Sequence, residues 1–173
     1  AIDREKLLDL VSLARNSASG ANLQPLKFFV SADKGTNGRI FPHLKWAGYL
    51  SNWNGPEEGE RPTGYILVLR DRSVKEVASK TDAGIQMQSM LLGAVEQGLG
   101  GCIIASVDRE AVMSTLGLDT DAYELMFVIA LGVPAEEVVI EEVGADGDIK
   151  YYRDDKGIHY VPKRTLEDLV IEK

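Results

Sequence analysis

The run Ser17-Ala18-Ser19-Gly20-Ala21-Asn22-Leu23-Gln24-Pro25 is the part of this chain best equipped to hold a ligand. Ser, Asn and Gln side chains offer donors and acceptors together, and Gly20 and Ala21 let a flat molecule approach the backbone. Such a lining suits the edge of a heteroaromatic ring, where donors and acceptors alternate. The same residue types also suit a loop that caps a helix and satisfies its own backbone, so on this run alone both readings stand. Near the other end, Lys163-Arg164 follows the strand-like Tyr160-Val161-Pro162. In an acidic chain this pair is either a phosphate clamp or ordinary surface charge.

Other chemistries lack their residues. No G-x-G-x-x-G, P-loop, G-x-S-x-G or metal-spaced cluster occurs. Gly98-Leu99-Gly100-Gly101 follows a helical pattern and opens a strand-like one, the reverse of a dinucleotide-binding turn. A helix C-cap followed by tight packing explains those glycines more simply. With one cysteine, Cys102, there is neither an internal disulfide framework nor a cysteine-rich zinc site. Cys102 falls in a predicted buried strand and reads as a small core hydrophobe. The two histidines, His43 and His159, read as isolated surface or loop residues.

The elements that must position these residues follow from apolar spacing. Asp3 to about Ala18 has helical spacing through Leu7, Leu10, Val11 and Ala14, with Asp3 as an N-cap. Strands are predicted at Leu26–Ala32, Tyr65–Leu69, Cys102–Val107 and Leu125–Leu131, with an exposed loop over Ser51–Thr63. The continuous apolar runs suit strands covered on both faces. Ser79–Gln97 is the strongest helix, with Met87, Met90, Leu91, Leu92 and Val95 spread around it and Gly98 as its stop. So broad an apolar face predicts packing on more than one side, including against a second subunit. Asp108 caps a helix to Leu116, and Arg153–Gly157 marks a hairpin before a short final helix. The predicted class is α+β, a mixed sheet flanked by helices in a three-layer sandwich.

The bulk properties agree with one soluble domain over residues 1–173, at 45% hydrophobic and 27% charged residues. A net charge of -8 opposes nucleic acid or an anionic membrane as partner. No apolar run approaches the roughly 18 residues of a membrane span, and no signal-peptide pattern opens the chain. The expected location is the cytoplasm.

The S-A-S-G-A-N-L-Q-P run resembles the A-P-S-x-x-N-x-Q-P-W signature of the FMN-dependent nitroreductases. It follows a helix that opens I-D-R-E-K-L-L-D-L-V and ends in A-R, as in that family. The likeness continues through the long apolar helix into Gly98-Leu99-Gly100-Gly101-Cys102-Ile103-Ile104, similar to the family's G-L-G-T-C-W-I-G. Asp108-Arg109-Glu110 and Leu125 to Glu136 extend it in the right order. The resemblance implies a homodimer with FMN held between subunits. By it, Ser19, Gly20, Asn22 and Gln24 lie at flavin-ring positions, and Ile104, Ala105 and Ser106 run beside the ring from the other subunit. Lys163 and Arg164 match the residues that hold the FMN phosphate, while Lys45 and Trp46 lie in a loop near the ring.

The resemblance also implies a two-step reaction. NAD(P)H gives hydride to flavin N5 and leaves, and a small conjugated acceptor such as a quinone or nitroaromatic takes its place. The flavin N5 carries the chemistry, and no protein side chain is assigned as catalytic. Flavin reduction, reductive dehalogenation, ene reduction and flavin binding without turnover are the alternatives on this scaffold. Three departures stand out: Ala18 for the usual proline, Leu26 for tryptophan and Ala105 for glycine. The family's opening R-x-S-x-R phosphate motif does not precede the first helix here. Either it is missing from this sequence or phosphate is held with fewer charges.

Overall fold

The computed structural model describes residues 1–172. The chain forms two compact units, one of Ala1–Lys45 with Pro56–Val133, the other of Trp46–Gly55 with the chain from Pro134 on.

The first unit is built on a four-stranded sheet. Its elements in chain order are α1 (Arg4–Arg15), β1 (Leu26–Ser31), α2 (Lys34–Ile40), β2 (Gly64–Asp71), α3 (Ser79–Glu96), β3 (Gly100–Ile104), α4 (Arg109–Leu116) and β4 (Tyr123–Gly132). The strand order is β1-β2-β4-β3 and every pairing is antiparallel. β2 and β4 occupy the centre because they are apolar at successive positions. Tyr65, Ile66, Leu67 and Val68 are all fully buried, so both faces of the sheet are covered. On one face α1 and α3 pack on each other and on the sheet, joining Leu7, Leu10, Ala14, Met87 and Met90 to Ile66, Val68, Ile129 and Leu131. On the other, α4 packs on β4 and α2 on α4. The α+β sandwich is therefore present.

Helix ends follow local chemistry. Asp108 caps α4, accepting from the Ala111 N–H at 3.1 Å. Asp3 stands at the start of α1, but its side chain makes no capping hydrogen bond. The stop of α3 is as predicted. Gly98 adopts φ 70°, its N–H donates to the Val95 carbonyl at 2.9 Å, and Leu99 N–H reaches Ala94 at 2.8 Å. This is a Schellman end, and the positive φ is what a glycine supplies cheaply.

Two expectations are corrected by the packing. Cys102 is exposed rather than buried, because β3 is an edge strand with β4 on one side only. Met90, expected at a subunit interface, is fully buried in this chain's own core, whereas Ile85, Leu92 and Val95 are the exposed large apolar members of α3.

The second unit carries β5 (Val138–Glu142), β6 (Tyr152–Arg153), β7 (His159–Lys163) and α5 (Leu166–Leu169). Here the pairing is mixed, β5 with β7 parallel and β6 with β7 antiparallel. The predicted hairpin is the β6–β7 turn, where Asp154 Oδ1 accepts from the N–H groups of Lys156 and Ile158, both at 2.9 Å. His159 is not an isolated surface residue. It lies in β7, largely buried, with Nδ1 3.4 Å from Glu136 Oε1 and its ring edge-on to Tyr151.

Among the described residues no helix is long and apolar enough to cross a membrane, and no His, Cys, Asp or Glu group could hold a metal ion.

Candidate functional site

The loop after α1 is held by a residue far away in sequence. Asp82, in the first turn of α3, is 2% exposed and accepts from Ser19 Oγ at 2.7 Å and from the Gly20 N–H at 2.9 Å. A carboxylate buried this deeply needs such donors, and its place near a helix N-terminus favours it further. Ser19 Oγ in turn accepts from the Gln24 N–H at 2.9 Å, closing the loop on itself. At Gly20 an added Cβ would lie 2.7 Å from the Ala78 Cβ, so a larger residue would push the loop off α3.

Held this way, the loop adopts a costly backbone. Ala21, Asn22 and Gln24 have φ of 50°, 53° and 50°. Left-handed conformations at non-glycine residues cost roughly 1–2 kcal/mol each, less for Asn. They persist where surrounding contacts over-determine them, and this occurs chiefly at functional sites. Here the Asp82 bonds supply that constraint.

The loop borders an open cleft of about 360 Å³. Leu8, Val11, Ser12 and Arg15 come to it from α1, Leu26 and Phe28 from β1, and Gln86 from α3. Ser17, Asn22 and Gln24 complete its edge. The volume is that of a small-molecule site, and the lining sets four apolar residues among six polar ones. Of the four loop residues singled out from the sequence, Asn22 and Gln24 face this cleft, while Ser19 and Gly20 are spent on Asp82. Gln24 Nε2 also donates to the Asn22 carbonyl at 3.2 Å, which stiffens the pair.

Ile104 ends β3 and is buried, and Ala105 and Ser106 lie exposed just beyond it. Their carbonyls are committed to the protein: Ala105 accepts from Arg109 Nη2 at 3.0 Å and Ser106 from the Lys45 N–H at 2.9 Å. Arg109 also donates to the carbonyls of Leu125 and Met126, at 3.0 and 3.1 Å, so one guanidinium straps this segment to β4. Lys163 and Arg164 belong to the second unit, at the end of β7. Both are exposed, and among the described residues neither has a carboxylate within ion-pair distance.

Asp82, Gln86 and Arg109 were missed from the sequence. A signal existed for the first two: they sit four apart on the stripe that continues to Met90, polar residues where the helix is otherwise apolar. Asp82→Ala should leave the Ser19 hydroxyl and Gly20 N–H without a partner. Hydrogen bonds to a charged group contribute about 1.5–3 kcal/mol each, so the melting temperature should fall on the order of 10 °C. An unchanged melting curve by circular dichroism would show that the loop does not depend on this carboxylate.

Comparison with known proteins gives a consistent result. Residues 57–133 match the model of the nitroreductase family. Among solved structures, a protein from Desulfovibrio desulfuricans, assigned as a nitroreductase and solved with FMN, superposes with a TM-score of 0.69 at 24% identity. That match covers 100% of this chain and 86% of the other. An FMN-dependent nitroreductase from Clostridium difficile gives a TM-score of 0.62 at 21% identity, over 79% of each chain. A protein from Clostridium acetobutylicum, assigned as an NADH oxidase, gives 0.59 at 19% identity, over 77% of this chain and 78% of that one. No curated protein matches the sequence.

Proposed function

We propose, from the premise that this chain is a nitroreductase-like protein with the fold of the FMN-dependent enzymes, that it is itself an FMN-dependent oxidoreductase. The reaction in this reading is hydride transfer from NAD(P)H, through flavin, to a small conjugated acceptor such as a nitroaromatic or quinone. The protein works as a cytoplasmic homodimer. The observation that carries the reading is the Ser19–Gln24 loop. Buried Asp82 holds it in a strained backbone, so that Asn22 and Gln24 border a cleft of mixed apolar and polar lining.

The residues present fit the cofactor. Asn22 and Gln24 offer carboxamides to a ring edge, above the apolar surface of Leu8, Val11, Leu26 and Phe28. Lys163 and Arg164 are cations with no ion-pair partner among the described residues, suited to a phosphate in a chain of net charge -8. Arg109 keeps Ile104, Ala105 and Ser106 in place beside the ring in this reading. When bound, flavin supplies the redox chemistry, accepting and returning hydride at N5. The chain's own residues bind it, orient it and shield it, and no acid–base pair is needed for that work.

Self-association has its own support. Ile85, Leu92 and Val95 on α3 and Leu8 and Leu13 on α1 are exposed apolar residues on helices that pack together. Exposed apolar groups of this size gathered on adjoining helices mark an interaction surface. A second copy, with the flavin shared between the two, is the occupant proposed.

The test is direct. Purified protein titrated with FMN should bind one flavin per chain, and NADH or NADPH under anaerobic conditions should bleach the flavin's visible absorbance. Colour should return when a quinone or nitroaromatic is added. A protein that takes up no FMN defeats the reading, and one that binds FMN but is never bleached is a flavin-binding protein without turnover.

A further inference from the structure

Most buried polar side chains of the first unit are satisfied inside the protein. Ser31 donates to Asn37 Oδ1 at 2.7 Å, Asn37 donates to the Thr63 carbonyl at 2.9 Å, and Asp82 is held as described. Gln86 differs. It is 6% exposed, it lines the cleft, and among the described residues its carboxamide has no hydrogen-bond partner. The amide is not sealed in the interior but opens on the cleft, and a side chain so largely buried with no protein partner among the described residues calls for an explanation.

Its position supplies one. Gln86 lies one turn beyond Asp82 on α3, on the same side of the helix. The carboxylate anchors the loop that carries Asn22 and Gln24, and the next turn places a third amide on the same cleft. We propose that Gln86 is a ligand-contacting residue whose carboxamide reads the edge of the planar heterocycle bound there. The inference rests on the proposed function and takes that heterocycle to be the flavin ring. A carboxamide presents a donor and an acceptor side by side, which matches a cyclic amide or imide edge. A phosphate would call for donors alone. The apolar side chains of Leu8, Val11, Leu26 and Phe28 give the ring a surface to lie on.

The experiment compares wild type with Gln86→Met, which keeps length and volume but removes the amide. FMN and riboflavin are titrated separately by fluorescence, the apoprotein is melted, and the assembly state is measured by sedimentation. The apoprotein should melt at a nearly unchanged temperature, since the amide has no hydrogen-bond partner among the described residues and opens on the cleft. Both ligands should bind on the order of tenfold more weakly, by the same factor, because the lost contact is to the ring they share.

If wild type binds neither ligand, the proposed function fails and this inference with it. If wild type binds both and Gln86→Met binds them equally well, only this inference is overturned. It is overturned as well by a loss confined to FMN, which would place Gln86 at the phosphate end. A variant apoprotein that melts much lower or fails to fold would show the amide satisfied within the protein, again overturning it. So would a variant that loses self-association while each assembled pair keeps its ligand affinity, because the amide would then face a partner subunit.

Discussion

Replacing Lys163 and Arg164 together with alanine is expected to weaken FMN binding by about 10²- to 10⁴-fold. Each charge-assisted contact to phosphate contributes about 1.5–3 kcal/mol, and every 1.4 kcal/mol is a factor of ten. Both side chains are exposed at the end of β7, so their removal should leave the melting temperature within a degree or two. Riboflavin, which lacks the phosphate, should bind wild type and variant alike. In wild type, FMN affinity should also fall with added salt more steeply than riboflavin affinity. Calorimetry showing equal FMN affinity for the two proteins would remove the phosphate assignment. It would leave the ring site around Asn22 and Gln24 untouched.

The second large effect separates the two sides of α3. Met90 has no exposed surface, and Met90→Asp would bury a carboxylate in a core of Leu7, Leu10, Met87 and Ile129. An unpaired charge there, with the lost packing, costs on the order of 5 kcal/mol, comparable to the whole stability of a typical domain. Soluble folded protein is not expected. Leu92 is 63% exposed, so Leu92→Asp should leave the fold of one chain within about 0.5 kcal/mol of its original stability. It should nevertheless dissociate the proposed dimer, and FMN should be lost with it, since a ligand shared by two subunits stabilises their association. Sedimentation with flavin absorbance reads both quantities. A Leu92→Asp protein that remains dimeric with its flavin would show that the outer face of α3 is not the contact.

Much of the fold was legible in the sequence, because it depends on neighbours in the chain. β2 and β4 are continuous apolar runs long enough for a strand and too short for a helix, and they became the buried centre of the sheet. Ser79 and Gly98 bracketed α3 to within a residue. The hairpin before His159 followed from Asp154 and Gly157, whose preferences are local. The extent of β3 was less clear. The apolar run continues to Val107, but the ladder with β4 ends at Ile104, and Arg109 draws the following residues to its guanidinium.

The candidate site divides in the same way. By its residue types alone, the Ser17–Pro25 run read as a loop whose side chains suit either a ligand or the capping of its own backbone, and Lys163-Arg164 as a cationic pair. Only the tertiary structure decided which side chains the loop offers outward. Ser19 and Gly20 are turned to Asp82 by bonds spanning 63 and 62 residues, a pairing that no local preference encodes. The choice of faces on α3 was equally beyond the sequence. Ile85, Met87, Met90, Leu92 and Val95 are apolar nearly all round the helix, so helical spacing gives their relative directions but not which of them meets a neighbour. Met87 and Met90 are inside because α1 and the sheet lie on that side, and Leu92 and Val95 are outside because none of the described residues covers them. Cys102 is exposed for the same kind of reason: a strand's pattern does not say whether it lies at the edge of its sheet. Short-range sterics and periodicity act within a few residues. Burial depends on what long-range packing brings alongside.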